Sequence, residues 1–194
     1  MRVSPAEYLR LDLRAHQLLG GTPLYDVSAV DLPGGGPGRT LADVRRLGKT
    51  AGPGIPARAL FGVRRSLGRV FGWDRVPLRA ENSLVSRLSQ ADRENSDIVP
   101  GTREGAFMIV YQFPGEALSE TRNATVRGWI STALVPHPAG YRLYFAVYVL
   151  PVSWITRPYL LLIEPFRRFL LYPSMLQRIR LAWIAAYNAR GGGV

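Results

Sequence analysis

Residues 119–150 read SETRNATVRGWISTALV, then PHPAG, then YRLYFAVYVL. Two runs rich in β-branched and aromatic residues, Ser119–Val135 and Tyr141–Leu150, flank a connection of Pro136, His137, Pro138, Ala139 and Gly140. Such runs favour extended backbone, and so tight a Pro/Gly link leaves an antiparallel hairpin as their pairing. The hairpin sets the fold class, because the residues before it extend the same pattern. From Glu81 the apolar period shortens toward two, and further strands are expected at Asn82–Leu88 and Phe107–Phe113. Ala91 to Glu104 reads as a charged loop or a short additional strand pair.

Toward the N-terminus the helical signals return. Ser4, Pro5 and Glu7 have the order of a cap, a first helical position and a capping box. Tyr8, Leu11, Ala15, Leu18 and Leu19 then share one face of a single helix that ends at Gly20-Gly21. A first strand is expected over Tyr25–Leu32, followed by the loop Pro33–Gly38. Thr40 caps a short helix with Leu41, Val44 and Leu47 inward and Gly48 as its stop. A longer helix follows, with a stripe of Leu60, Val63, Leu67 and Phe71. Beyond the hairpin, Val152 to Arg190 reads as helical, restarted at Pro165 and Pro173, with Met175, Leu176, Ile179, Ala182, Trp183 and Ala186 on one face. Glu164, Arg167, Arg168, Arg178 and Arg180 interrupt this apolar stretch too often for a membrane span, so it is a core or interfacial helix.

Composition removes several classes of chemistry. With no cysteine there is no disulfide, thiolate nucleophile or cysteine-ligated metal. Two histidines, His16 and His137, are too few for a histidine metal site, and the absence of G-x-S-x-G argues against a serine elbow. Gly48-Lys49-Thr50 imitates the end of a phosphate loop, but Asp43 stands where the earlier glycine is required, and the segment closes a helix instead of opening one. The formal charge of +11 suggests nucleic acid, yet the arginines are scattered and Lys49 is the only lysine. That distribution disfavours a dedicated phosphate-binding face. Met1 to Glu7 lacks an apolar signal core, which points to the cytoplasm.

The element order, strand, two helices, antiparallel strands and long helix, is that of the helix-grip fold. The segments ALSE (117–120), NATV (123–126), GYRL (140–143), AVYV (146–149) and EPFRR (164–168) resemble those of a bacterial domain family of unknown function, DUF2867. Together they imply an α+β START/SRPBCC-like domain, a curved antiparallel sheet around a long C-terminal helix. Residues 1–21 then form an N-terminal helical extension, 22–190 the ligand-binding domain and 191–194 a flexible tail. The resemblance is informative for fold and nearly silent on function, since one fold hosts many activities.

The polar residues worth weighing lie on strands. Asn123, Thr125 and Arg127, followed by Trp129 and Ser131, alternate onto one face, while Ala124, Val126, Gly128, Ile130 and Leu134 read as core. Either the polar face is solvated, or it lines a pocket in which an amide, a hydroxyl and a guanidinium orient a carbonyl or enolate oxygen. Tyr111, Tyr144 and Tyr148 add phenolic donors or ordinary packing, and Phe166 adds an apolar wall. Glu120 and Glu164 are the carboxylates a cavity could convert to acid–base use; for both, structural pairing is the simpler reading.

The expectation is a helix-grip protein that encloses a polyketide- or lipid-like molecule without metal or cofactor. Cyclisation or dehydration would fall to Glu120, Asn123 and Arg127, with Thr125, Trp129, Tyr111, Tyr144, Tyr148 and Phe166 as ligand contacts. Carriage or sensing of a metabolite is the rival, and a membrane-surface role for Trp154–Trp183 the third reading. Nucleic acid is not expected as a partner, and the chain is a monomer or homodimer.

Overall fold

The computed structural model describes residues 3–52, 80–122, 126–151 and 171–187. Their fold is α+β: a six-stranded antiparallel sheet with helical segments on both faces, ending in a C-terminal helix. The strands are β1 (Leu24–Pro33), β2 (Arg103–Glu104), β3 (Phe107–Gln112), β4 (Glu116–Arg122), β5 (Val126–His137) and β6 (Gly140–Pro151). Their spatial order is β1-β6-β5-β4-β3-β2, so β2 to β6 form a meander and β1 closes the far edge.

The hairpin is formed by β5 and β6, paired from Val126↔Pro151 to His137↔Gly140. Gly140 carries a φ of +141°, and a Cβ there would stand 2.5 Å from the Leu32 carbonyl oxygen, so the approach of β1 to this turn requires glycine. The run YRLYFAVYVL is apolar almost throughout because both faces of β6 are covered. Tyr144, Ala146 and Tyr148 enter one core, and Leu143, Phe145, Val147 and Val149 point to the opposite side.

On the first face lie α1 (Pro5–Leu9), α2 (Arg14–Leu18) and two short 3-10 turns at Ala80–Asn82 and Leu84–Arg87. The single N-terminal helix expected from periodicity is therefore two. Leu13 takes an extended conformation (φ −118°, ψ 137°), and the Arg14 amide donates to Oε1 of Glu116 on β4 at 2.8 Å. That carboxylate, distant in sequence, satisfies the start of the second helix. Ser4 caps α1 through the Ala6 amide, 3.2 Å away. Glu7 does not close the expected box; its Oε1 accepts from the Tyr144 hydroxyl at 2.7 Å and from Arg142 Nη1 at 3.2 Å.

Asn82–Leu88, expected as a strand, is the pair of 3-10 turns. The Leu84 amide donates to Glu120 and the Val85 amide to the Ser83 hydroxyl, so partners other than a strand ladder hold this backbone. Within the expected charged loop, Ser89 caps a short helix α4 (Gln90–Glu94), and Arg103–Glu104 adds the two-residue edge strand β2. The expected long strand Ser119–Val135 is likewise two, β4 and β5, paired with each other up to Arg122↔Arg127.

The second face carries α3 (Leu41–Ala51) and α5 (Tyr172–Tyr187). Thr40 precedes α3 as its cap, its amide donating to Asp43 Oδ2 at 3.2 Å. The helix passes Gly48 and ends at Gly52. At Gly48 the helix meets α5: a Cβ there would lie 3.9 Å from Ile179 Cγ1, an ordinary contact distance that does not demand glycine. Leu176 and Trp183 are buried from α5, with Met175, Ile179 and Tyr187 packed around them. The Trp183 indole N–H donates to the Pro33 carbonyl at 3.1 Å, joining the C-terminal helix to the end of β1. Among the described residues no helix is long and apolar enough to cross a membrane. The helix expected around Leu60–Phe71 and the restart at Pro165 lie outside the described residues.

Candidate functional site: a cavity and a buried polar cluster on opposite faces

The first face holds the polar residues singled out from sequence. Glu120 is fully buried. Its Oε1 accepts from Arg127 Nε at 2.8 Å and its Oε2 from the Leu84 amide at 2.8 Å. Arg127 also donates from Nη2 to the Asn82 carbonyl at 3.2 Å and lies 5.0 Å from the Trp129 ring centre. The pair thus fastens residues 80–88 onto the sheet.

Further along the same face the Tyr8 hydroxyl donates to Ser131 Oγ at 2.7 Å. The Tyr111 hydroxyl donates to Glu116 Oε2 at 3.2 Å, and its ring stacks on Phe113 with centres 4.5 Å apart. Burial raises the phenol pKa values of Tyr8, Tyr111 and Tyr148, which holds all three protonated. Burial also raises the Glu116 carboxyl, against the lowering effect of its bonds from the Arg14 amide and Tyr111. The Trp129 indole N–H is buried with no acceptor among the described residues.

For Trp129 and Ser131, neither geometry expected for this polar face is the one observed. They are not solvated, and they do not look toward the C-terminal helix; the N-terminal segment and the 3-10 turns cover them. Glu120, Arg127, Trp129, Tyr111, Tyr144 and Tyr148 share this face. Tyr144 is engaged by Glu7 at the edge, away from Glu120. Asn123, Thr125, Glu164 and Phe166 lie outside the described residues.

The opposite face carries a cavity of about 640 Å³, within the ~300–1,000 Å³ usual for small-molecule sites. Its floor is Ile109, Ala117, Ser119, Ile130, Thr132 and Phe145 from β3 to β6. A register shift between Ile109 and Tyr111 resets the alternation of β3, sending Tyr111 to the polar cluster and Gln112 to the cavity. Leu41 and Val44 of α3 and Met175, Leu176 and Ile179 of α5 form the roof.

Charged groups gather at one end. Arg45 and Lys49 from α3 share the carboxylate of Glu104 on β2: Arg45 pairs with Oε2, and Lys49 Nζ stands 3.3 Å from Oε1. The hydrogen bond from Arg45, then Lys49, holds the Glu104 carboxyl below its ordinary range. Arg45 Nη1 also donates to Gln112 Oε1 at 2.9 Å. Arg178 of α5 lines the same cavity.

Sequence reasoning passed over these residues. Lys49 stood out only as the sole lysine inside a false phosphate-loop motif, and Ile130 read as plain core. Among the described residues no three or more His, Cys, Asp or Glu side chains gather where a metal ion could be held.

The family model described as "Protein of unknown function (DUF2867)" matches residues 18–174. The chain belongs to this family. No curated protein matches it. The DUF2867 match takes in every strand of the sheet and the cavity floor, together with α3. It stops within the first turn of α5 and leaves α1 outside, so Tyr8 and Trp183, which lock the two ends of the chain onto the sheet, lie beyond the matched DUF2867 region.

Proposed function

We propose that this DUF2867 chain is a helix-grip binding protein that encloses an apolar small molecule between the sheet and its C-terminal helix. The observation that carries the reading is the cavity of about 640 Å³, floored by four strands and roofed by α3 and α5. Its wall is mostly hydrophobic, with the hydroxyls of Ser119 and Thr132 and the amide of Gln112 as orienting groups.

Carriage or sensing is favoured over turnover. A cofactor-free cyclisation or dehydration needs an acid–base group beside the ligand. Glu104 is the carboxylate on the described cavity wall, and two cations already hold it in its charged form. The Glu120–Arg127 pair is engaged on the opposite face, where it closes a structural contact.

Binding is tested with the neutral fluorophore N-phenylnaphthylamine, whose emission rises in apolar surroundings. Saturable enhancement is expected, and Thr132→Phe, which fills the floor, should weaken it about tenfold or more while the melting temperature holds or rises. Absence of saturable binding by the wild-type protein would end this reading. Native mass spectrometry of protein purified from its own host would then identify the class of any ligand retained.

A further inference from the structure

Resting on the reading of the cavity as a ligand site, we propose that its natural ligand is an amphiphile with a carboxylate head, seated by Arg45 and Lys49, and that Glu104 occupies the head-group seat in the empty protein. The argument begins with charge. Among the described residues that line the cavity, Arg45, Lys49 and Arg178 are cations and Glu104 is the one carboxylate, an imbalance on a mostly apolar wall. An apolar ligand gains nothing from these groups, and a cationic one would be repelled.

Position adds to this. The Lys49 side chain is 66% exposed, whereas Leu143 and Leu176 on the cavity wall are buried. The charged end is thus the solvent end, the polarity gradient expected for a molecule whose tail enters and whose head stays at the mouth. Geometry supplies the class of head. One carboxylate already bridges the two cations, Oε2 on Arg45 and Oε1 on Lys49, so the seat fits a planar two-oxygen anion. Gln112 holds the other arm of the Arg45 guanidinium, fixing its orientation when Glu104 leaves. Glu104 belongs to the two-residue edge strand β2, where giving way disturbs little of the sheet.

The test compares decanoate with decanol, two ligands of equal chain and different head, by displacement of N-phenylnaphthylamine. Decanoate should bind at least about tenfold tighter than decanol. Lys49→Gln and Arg45→Gln should weaken decanoate several-fold and leave decanol unchanged, and Glu104→Gln, which removes the competing negative charge from the seat, should tighten decanoate. Arg87→Gln removes an exposed cation elsewhere; an equal loss with that variant would mean that overall charge, not the seat, attracts the anion, and would overturn the proposal. Equal affinity for the two ligands, unaffected at Arg45 and Lys49, would overturn the head-group assignment and leave the apolar cavity standing. Displacement by neither ligand, with the probe itself unbound, would overturn both.

Discussion

The Glu120 side chain is the sharpest case at the scale of single residues. It is a fully buried carboxylate whose oxygens each accept a bond, one from a guanidinium and one from a backbone amide. Removing it as Glu120→Ala strands the Leu84 amide in the core, whereas Arg127, 27% exposed, keeps access to water. The expected cost is about 1–3 kcal/mol, read from the urea unfolding midpoint, with probe binding in the cavity unchanged. An unaltered midpoint would mean that the carboxylate serves something other than packing.

Glu116 makes a different prediction. Its pKa is raised in the folded state, so folding takes up a proton between the unfolded and folded values. Its contribution is most favourable below the unfolded value and is lost as pH rises through the folded one. Glu116→Gln carries no such dependence and should gain on the wild type as pH climbs from acid toward neutral. Melting temperatures of the two proteins that run parallel across that range would refute it.

Sequence alone singled out Glu120, Arg127 and the tyrosines as notable, and each is buried or partnered in the fold. It could not say that the cavity lies on the other face. Strand alternation sorts residues into two sets but does not label the sets, and here both faces are covered, which removes the polarity cue.

Among the elements, most of those expected are present where local signals were strong: β1, α3 with its Thr40 cap, the β5–β6 hairpin and the apolar face of α5. Two of the failures share a cause. The break between α1 and α2 depends on Glu116, and the 3-10 turns at 80–88 depend on Glu120, each a group far away in sequence that caps a local backbone donor. No window of neighbouring residues contains that information.

The joint between β1 and α5 is equally non-local and can be tested. Gly35 has a φ of +90°, and a Cβ added there would stand 2.6 Å from Trp183 Cζ2. Gly35→Ala combines a left-handed backbone with that clash. It should cost about 1–3 kcal/mol or more and loosen the C-terminal helix, seen as faster amide exchange along 172–187. Unchanged protection of that helix would show that the loop yields without disturbing it.

For the molecule as a whole, two layers of helical structure clasp one sheet, and the ends of the chain do the clasping. Tyr8 is fastened to Ser131 on one face and Trp183 to Pro33 on the other. The sheet is a chain of near neighbours with one exception: β1, early in the sequence, pairs along nearly its whole length with β6, more than a hundred residues later. This arrangement has a consequence in time. At roughly 5–20 residues per second, a nascent β1 waits about 5–20 s for its partner to be made. The meander has only short loops to close, whereas β1 must close the longest loop among the described strands, so it docks last. Substitution of the buried Val27 by Ala, worth roughly 1.5 kcal/mol, should therefore speed unfolding about tenfold and leave the refolding rate nearly unchanged. A slowed refolding limb in the chevron would place β1 in the nucleus instead. On the expected result, the strand that completes the sheet is also its first exit, and the lifetime of the folded chain is governed at that seam.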